Sequence, residues 1–445
     1  MINQPVRNFV LRSKPDLRRD ATAVSLFSGA GLSDLGFALA GFNFVIQVES
    51  DPKRSAIGAD NFPESTWITG DVRTHHDEIA SRYQAATQRR LDLLVATPPC
   101  QGMSSSNPSR GKRQTPKARA LDEKNRLILE VIPVARSLNP RIIVAENVRQ
   151  ILTLHVDHDC VSTSIVDILR EELPEYEVFS RVVNVADHGI AQIRRRALII
   201  AVHNQERWLR SIIRRNRTLW PSQMHSDRPT DGMLPWVTVQ EWLTAMKYET
   251  LDAESPETGR GNHPLHFVPT YGPDRYLQVS DIPSYSGRSA YENDNCRSCG
   301  YFPVPLGEIL CPKCGNTMRN RPYVDKEGDI RLVKGFKSSY RRMHPNRPSY
   351  TITTNSSHVG SDFKIHPWEN RVLSILECAD LQTVPRFYDW TRAQENQNYY
   401  LIRALVGEAF PTYFTYLQGC VLVKLLSENV VTPQMYAREF SQIAA

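Results

Sequence analysis

The chain has 445 residues, 41% of them apolar and 23% charged, with a formal net charge of +6. This suits a soluble globular protein long enough for two domains and a sizeable core. No window approaches the roughly 18 apolar residues of a membrane span, and the start, MINQPVRNFVLRSKPDLRRD, lacks an apolar signal-peptide core, so a cytoplasmic location is expected.

From the N-terminus, ATAVSLFS (Ala21 to Ser28) is predicted as a buried strand and GLSDLGFALAGF as the helix after it. Gly29 and Gly31 fall between them, where glycine lets a ligand approach the backbone and a helix N-terminus favours a negative group. FVIQVE (Phe44 to Glu49) is a second strand, followed by DPKRSAIGADNF. Glu49 ends that strand twenty residues after the turn, where a carboxylate can take both hydroxyls of a ribose. In TGDV, Asp71 stands at a third strand end, placed for an adenine. A glycine turn alone is a weak signal, but turn, Glu49 and Asp71 in this order point to an adenosine-containing cofactor.

LDLLVATP (Leu91 to Pro98) is a strand that stops at Pro98-Pro99 and presents Cys100. Most free cysteines are small buried residues. This one sits on a proline-stiffened turn at the edge of the sheet given to the cofactor, which sets a nucleophile level with the buried reading; Arg110, Lys112 and Arg113 would raise its ionised fraction. After the helical RLILEVIPVARSL, the strand RIIVAEN (Arg141 to Asn147) carries Glu146 near its end. A carboxylate there is either a cap or partner to a basic group, or a proton holder in a closed pocket. QIRRR (Gln192 to Arg196) sets Arg194 and Arg196 on one face of a strand entry, and RRALIIAVH (Arg195 to His203) continues it. Such alternation predicts an α/β fold with a doubly wound, mostly parallel, Rossmann-like sheet, whose ligands sit at the carboxyl ends of the strands.

Beyond Ile200 the periodicity fades. From Trp220 to Tyr323 the chain is rich in Pro, Gly, Ser, Tyr and His, which predicts a separate, loop-rich domain with short strands. Within it, CRSCGYFPVPLGEILCPKCG gives two CxxC pairs eleven residues apart: Cys296 and Cys299, then Cys311 and Cys314. This is the spacing of a four-thiolate zinc ribbon with no open ligand position, hence a structural metal; chance pairs or a redox dithiol are the competing reading. The other four of the eight cysteines stand alone, which suits a reducing compartment. Arg331 to Arg347 holds six basic residues and no acidic one, with Phe336 and Tyr340 interleaved. That stretch suits a phosphate backbone, against a plain solvated face. NRVLSILECADLQTV has helical spacing, and RALVGEAFPTYFTYLQGCVLVKLLSE reads as one helix near the C-terminus.

In order, FSGAG, PPCQG, ENV, QIRRR, RPSYTIT and GEAFP resemble the signature motifs of DNA (cytosine-5) methyltransferases, from about Val24 to Gly419. The one interruption, about 150 residues between QIRRR and RPSYTIT, falls where that family keeps its variable target-recognition domain. The segment LECADLQTVPRF also resembles the family before its last motif. The resemblance implies S-adenosylmethionine as methyl donor, contacted by Phe27, Gly29, Gly31, Glu49, Ser50, Asp71, Val72, Pro98 and Glu408, and double-stranded DNA as partner. It implies that Cys100 attacks carbon 6 of a flipped-out cytosine while Glu146 engages ring nitrogen 3 and the amine, with Gln101 and Asn147 in the same motifs. Arg194 takes the place of the arginine that holds the cytosine, Arg196 that of its structural partner, and Gly102 to Arg119 that of a loop closing over DNA. Departures are Ala96-Thr97 where small glycines are usual, Met103 for an aromatic, Ala191 for a proline, and Glu408 for an asparagine near the cofactor.

The expected division is a catalytic domain from residues 1–205 and 395–445, around a recognition domain at 206–394 with the ribbon at 294–317. A prokaryotic or phage-like enzyme, acting as a monomer beside a restriction endonuclease, fits these features. An RNA (tRNA) cytosine methyltransferase and a catalytically dead DNA-binding relative are the competing readings. No side chain between Ile200 and Asn346 can be mapped to a base, so the recognised sequence is not legible.

Overall fold

The computed structural model describes residues 4–15, 20–99, 123–230, 232–326, 329–333, 338–361 and 363–427. Continuous Val, Ile and Leu runs, buried on both faces as parallel strands require, form a central seven-stranded sheet. Its strands are β1 (Ala21–Leu26), β2 (Phe42–Glu49), β3 (Thr66–Thr69), β4 (Leu93–Ala96), β5 (Ile142–Asn147), β6 (Tyr176–Asn184) and β7 (Arg195–His203). They lie in the order β3-β2-β1-β4-β5-β7-β6. The first five are parallel and β7 runs antiparallel to both neighbours. The order reverses between β1 and β4, the place where such sheets open a crevice.

Alternation along each strand divides the core in two. Ala23, Leu93, Val95, Val144 and Leu198 face one cluster, while Val24, Leu94, Ile143 and Ile199 face the other. Helices cover both faces: α1 (Gln4–Leu11), α2 (Leu32–Leu39), α3 (Pro52–Asn61), α4 (His76–Ala86), α5 (Val131–Leu138), α6 (Ile165–Glu172), α7 (Val239–Met246), α8 (Ile375–Leu381), α9 (Tyr399–Glu408) and α10 (Thr412–Leu426). Among the described residues no helix is long and apolar enough to cross a membrane.

The single C-terminal helix expected from Arg403 to Glu428 is corrected to two. Pro411 has no N–H to donate and pushes Phe410 out of the helical region, so α9 ends at Glu408 and α10 starts at Thr412. The break lets α10 lie along α2, where Thr412 and Thr415 donate their hydroxyls to the carbonyls of Leu32 and Ser33 at 3.0 and 2.8 Å. The start of α10 thus returns to brace the first turn of α2.

Between these parts, Leu251, Val268, Val279, Ile365 and Val372 build a third, smaller core, and the four-cysteine segment a fourth. Trp242 and Leu243 of α7 and Leu376 of α8, all within 206–394, pack instead with the face of the central sheet covered by α2 and α10. A short parallel pairing of Gln192–Ile193 with Ser349–Tyr350 also ties this region to the sheet.

Candidate active site

Register places the strand ends side by side: Leu26 opposite both Val48 and Ala96, Ala96 opposite Ala145, and Leu198 opposite Glu146. After β1 the chain turns through Phe27, Gly29 and Gly31, with φ of 60°, 57° and 76°. A Cβ on Gly31 would sit 2.6 Å from the Phe62 ring, whereas in front of Gly29 there is open space. Glu49 pins this turn: its carboxylate accepts from the backbone N–H of Gly29 and of Asp51, each at 2.9 Å, and from the Ser50 hydroxyl at 3.3 Å. From below, the Tyr388 hydroxyl donates to the Ala30 carbonyl at 2.5 Å.

Beneath the turn Asp34 is wholly buried, accepting from Ser25 at 2.9 Å and Gln47 at 2.8 Å. Burial pushes its carboxyl up to about 6, against the pull of those hydrogen bonds. Asp71 caps the turn Val72–Thr74 beyond β3, and Val72 is buried. The Asp71 carboxylate is paired with Arg73 at 2.7 Å, and that hydrogen bond holds it below the ordinary value.

The turn after β4 is held from two sides. Thr97 donates its hydroxyl to the Phe27 carbonyl at 2.9 Å, and Asn147 donates its amide to the carbonyl of buried Pro98 at 3.2 Å. Cys100, Gln101 and the segment Gly102 to Arg119 lie outside the described residues. Beside that turn stands Glu146, its side chain 13% exposed, with Arg196 Nε 3.0 Å from Oε1. The N–H is not aligned with that oxygen, which receives no hydrogen bond among the described residues. Burial raises the Glu146 carboxyl, opposed by the charges of Arg196 and Arg194. A carboxyl poised this way can share a proton with a ring placed against it.

Arg194 and Arg196 sit in different surroundings. The strand is interrupted between Ile193 and Arg195, so the two arginines do not share one regular face. Arg194 turns inward with no exposed surface and donates to the carbonyls of Ile352, Gly407 and Glu408, each at 3.0 Å. Arg194 is the structural tie, and Arg196 is the arginine at the carboxyl.

Glu408 forms a two-contact ion pair with Arg54 of α3, Nη1 to Oε2 and Nη2 to Oε1. Arg54 also faces the negative charges of Glu49 and Asp51. The last motif is therefore strapped to the helix that starts just after Glu49.

In the four-cysteine segment all ligand sulfurs lie within 4.8 Å of one another. Sγ of Cys296 is 3.8 Å from that of Cys314, and Cys299 is 3.7 Å from Cys311. A tetrahedron of sulfurs about 2.3 Å from zinc has edges of about 3.8 Å, so the donor set fits that ion. Each pair makes the same turn: Gly300 N–H to the Cys296 carbonyl, and Gly315 N–H to the Cys311 carbonyl, both at 2.8 Å.

Sequence reasoning missed Arg54, Thr97, Tyr388 and Gln382. Gln382 donates to the Val406 and Ala409 carbonyls and receives from Gln192 at 2.7 Å, joining two motifs. Contacts across hundreds of residues leave no local pattern, although Thr97 and Gln382 did lie inside quoted motifs.

Residues 21–415 match the protein family described as C-5 cytosine-specific DNA methylase. The chain is 26% identical over 407 residues to the Type II methyltransferase M1.HgaI of Avibacterium volantium, covering 89% of this chain and 96% of that one. It is 32% identical over 368 residues to the Type II methyltransferase M1.HphI of Haemophilus parahaemolyticus, covering 82% and 77%. Among solved structures, a candidate DNA modification methyltransferase encoded within a prophage (E. coli) superposes with a TM-score of 0.52. It is 19% identical, covering 92% of this chain and all of that one, and so supports the fold.

Proposed function

The chain belongs to the C-5 cytosine-specific DNA methylase family, and from that premise we propose how its residues carry out methyl transfer to carbon 5 of cytosine in duplex DNA. The observation that carries the reading is Glu146: a largely buried carboxyl with an oxygen that receives no hydrogen bond among the described residues, paired with Arg196 beside the Pro98-Pro99 turn. Cys100 is the nucleophile of this reading. Its sulfur bonds to carbon 6 of a flipped-out cytosine while Glu146 shares its proton at ring nitrogen 3, so the ring accepts the electron pair and carbon 5 becomes nucleophilic. Arg196 orients that carboxyl and limits how far its pKa rises. Once carbon 5 has gained the methyl group, a base or water removes its proton and the carbon–sulfur bond breaks, returning the thiolate. Gln101 and Asn147 complete the machinery, Asn147 by fixing the Pro98 carbonyl and with it the thiol's approach.

S-adenosylmethionine supplies the methyl group as an electrophilic carbon on sulfur. The open space before Gly29 and the carboxylate of Glu49 at the turn suit it, with Phe27, Gly31, Ser50, Asp71, Val72, Pro98 and Glu408 as further contacts. Cys296, Cys299, Cys311 and Cys314 hold a structural zinc ion in this reading. Residues 1–205 and 395–445 carry catalysis in this reading and 206–394 carry target recognition, with Trp242, Leu243 and Leu376 of the latter packed into the core of the catalytic sheet. Relatives named as Type II methyltransferases support a prokaryotic role beside a cognate endonuclease, and one flipped base needs a single copy.

The test uses duplexes of random sequence in which cytosine carries fluorine at carbon 5, which cannot leave as a proton. With S-adenosylmethionine present, the wild type should form a complex that survives denaturation, Glu146→Gln should form it at least 100-fold more slowly, and Cys100→Ser not at all. A Cys100→Ser chain that still forms the adduct would remove the mechanism.

A further inference from the structure

We infer that the edge of the sheet opposite the active site is a second surface for duplex DNA, built on the arginines of RWLRSIIRRNR, Arg207 to Arg217. β7 runs antiparallel to β5, entering at the Glu146 end and leaving at Val202 opposite Ile142. The full length of β5, about 17 Å at about 3.3 Å per residue, separates the two ends. Just past β7, Glu206 is consumed by Arg141 at 2.7 Å, and the short helix Leu209–Ile213 follows.

Trp208, Leu209 and Ile212 anchor that helix in the core, which turns Arg207, Arg210, Arg214 and Arg215 to solvent with Arg217 half-buried beside them. No carboxylate among the described residues pairs with any of these five, and the chain has no acidic residue from Arg207 to Ser226. Arg215 takes φ of 61°, the place after a helix where glycine relaxes the backbone, and its neighbours Asn216 and Arg217 both donate backbone N–H groups to Ser211. The turn's backbone is hydrogen-bonded, which fixes where these arginines leave the chain. Ile213, 55% exposed, sits amid them. Arg90, joined to Gln205 at 3.4 Å, brings further positive charge to the same edge.

Unpaired arginines fit a phosphate backbone better than water alone requires. The inference rests on the chain's action on DNA. Since this edge faces away from Glu146, the duplex it holds is a segment other than the one being modified, or the flank of a bent one.

The test compares wild type with Arg210→Gln, Arg214→Gln, Arg215→Gly and Arg217→Gln combined, titrated into a fluorescein-labelled 30-base-pair duplex of arbitrary sequence over a range of sodium chloride. The variant should bind at least 10-fold more weakly at low salt. Its slope of log affinity against log salt should be shallower by up to about 3.6, since four charges are removed and each phosphate contact contributes about 0.9. Adduct formation with the 5-fluorocytosine duplexes at saturating DNA should be unchanged. The combination of Arg210→Lys, Arg214→Lys and Arg217→Lys should keep the wild-type slope, as only charge is required. An unchanged slope in the neutralised variant would overturn this inference while leaving the catalytic reading intact. Unchanged DNA binding with lost binding to polyglutamate would also overturn it, assigning the edge to an acidic protein. A wild type that binds no duplex at all would overturn both readings together.

Discussion

Replacing Arg194 by Met should destabilise the protein, whereas replacing Arg196 by Gln should disable it. The Arg194 guanidinium is fully buried and serves three carbonyl oxygens, those of Ile352, Gly407 and Glu408. A hydrogen bond to a charged group contributes about 1.5–3 kcal/mol, and relieving the arginine of its own desolvation offsets part of the sum. A net loss of about 3–5 kcal/mol follows, equivalent to a fall in Tm on the order of 3–5 °C in a chain this long. Arg196 is 14% exposed and its partner Glu146 can neutralise by taking up a proton, so its loss should move Tm by no more than about 2 °C. Transfer should nevertheless drop about 100-fold or more, the scale for losing one group that supports developing charge. Thermal melts of both variants, beside tritiated methyl transfer to DNA, separate the roles. An Arg194→Met chain that melts with the wild type and has lost only activity would refute the assignment.

Three further outcomes follow from the same geometry. Asp34 has its carboxyl raised from 3.8 to about 6, so the folded state keeps a proton that the unfolded chain releases. Stability present below about pH 4 is therefore lost as pH rises to about 6, by up to about 3 kcal/mol; Asp34→Asn should flatten the fall in Tm between about pH 4 and 6, and parallel curves would exclude the effect. Metal analysis should find one zinc per chain, with Cys311→Ser below half an equivalent and more easily cleaved by protease in the 294–317 region; a folded, metal-free wild type would count against the ribbon. Glu408→Asn frees Arg54 from a partly exposed pair worth up to about 1 kcal/mol. The KM for S-adenosylmethionine should change about two- to five-fold with kcat held, and a large fall in kcat would place Glu408 in the chemistry instead.

The strand ends were legible because an apolar run of fixed length stops at a residue of a different kind: Glu49 after FVIQV, Pro98 after LLVAT, Glu146 within VAEN. The four-cysteine cluster was legible for a similar reason, since two short turns fix four thiols locally. The placement of Arg194 and Arg196 was not, because period-two reasoning presumes a continuous strand and this one breaks at Arg194 to pair Gln192–Ile193 elsewhere. Pro411 did announce the break between α9 and α10, and helical spacing on both sides hid it. Composition suggested a loop-rich stretch after Ile200 but could not show that Trp242 and Leu376 pack against the catalytic sheet. Arg54 and Glu408 stand 354 residues apart, and no local pattern joins them.

The central claim, sequence-specific methylation of cytosine in DNA, is tested most directly by bisulfite sequencing of DNA from a methylation-free host expressing this chain. Protected cytosines should fall within one short recurring sequence and disappear with Glu146→Gln. A soluble chain that binds S-adenosylmethionine yet protects no cytosine anywhere in that DNA would contradict it.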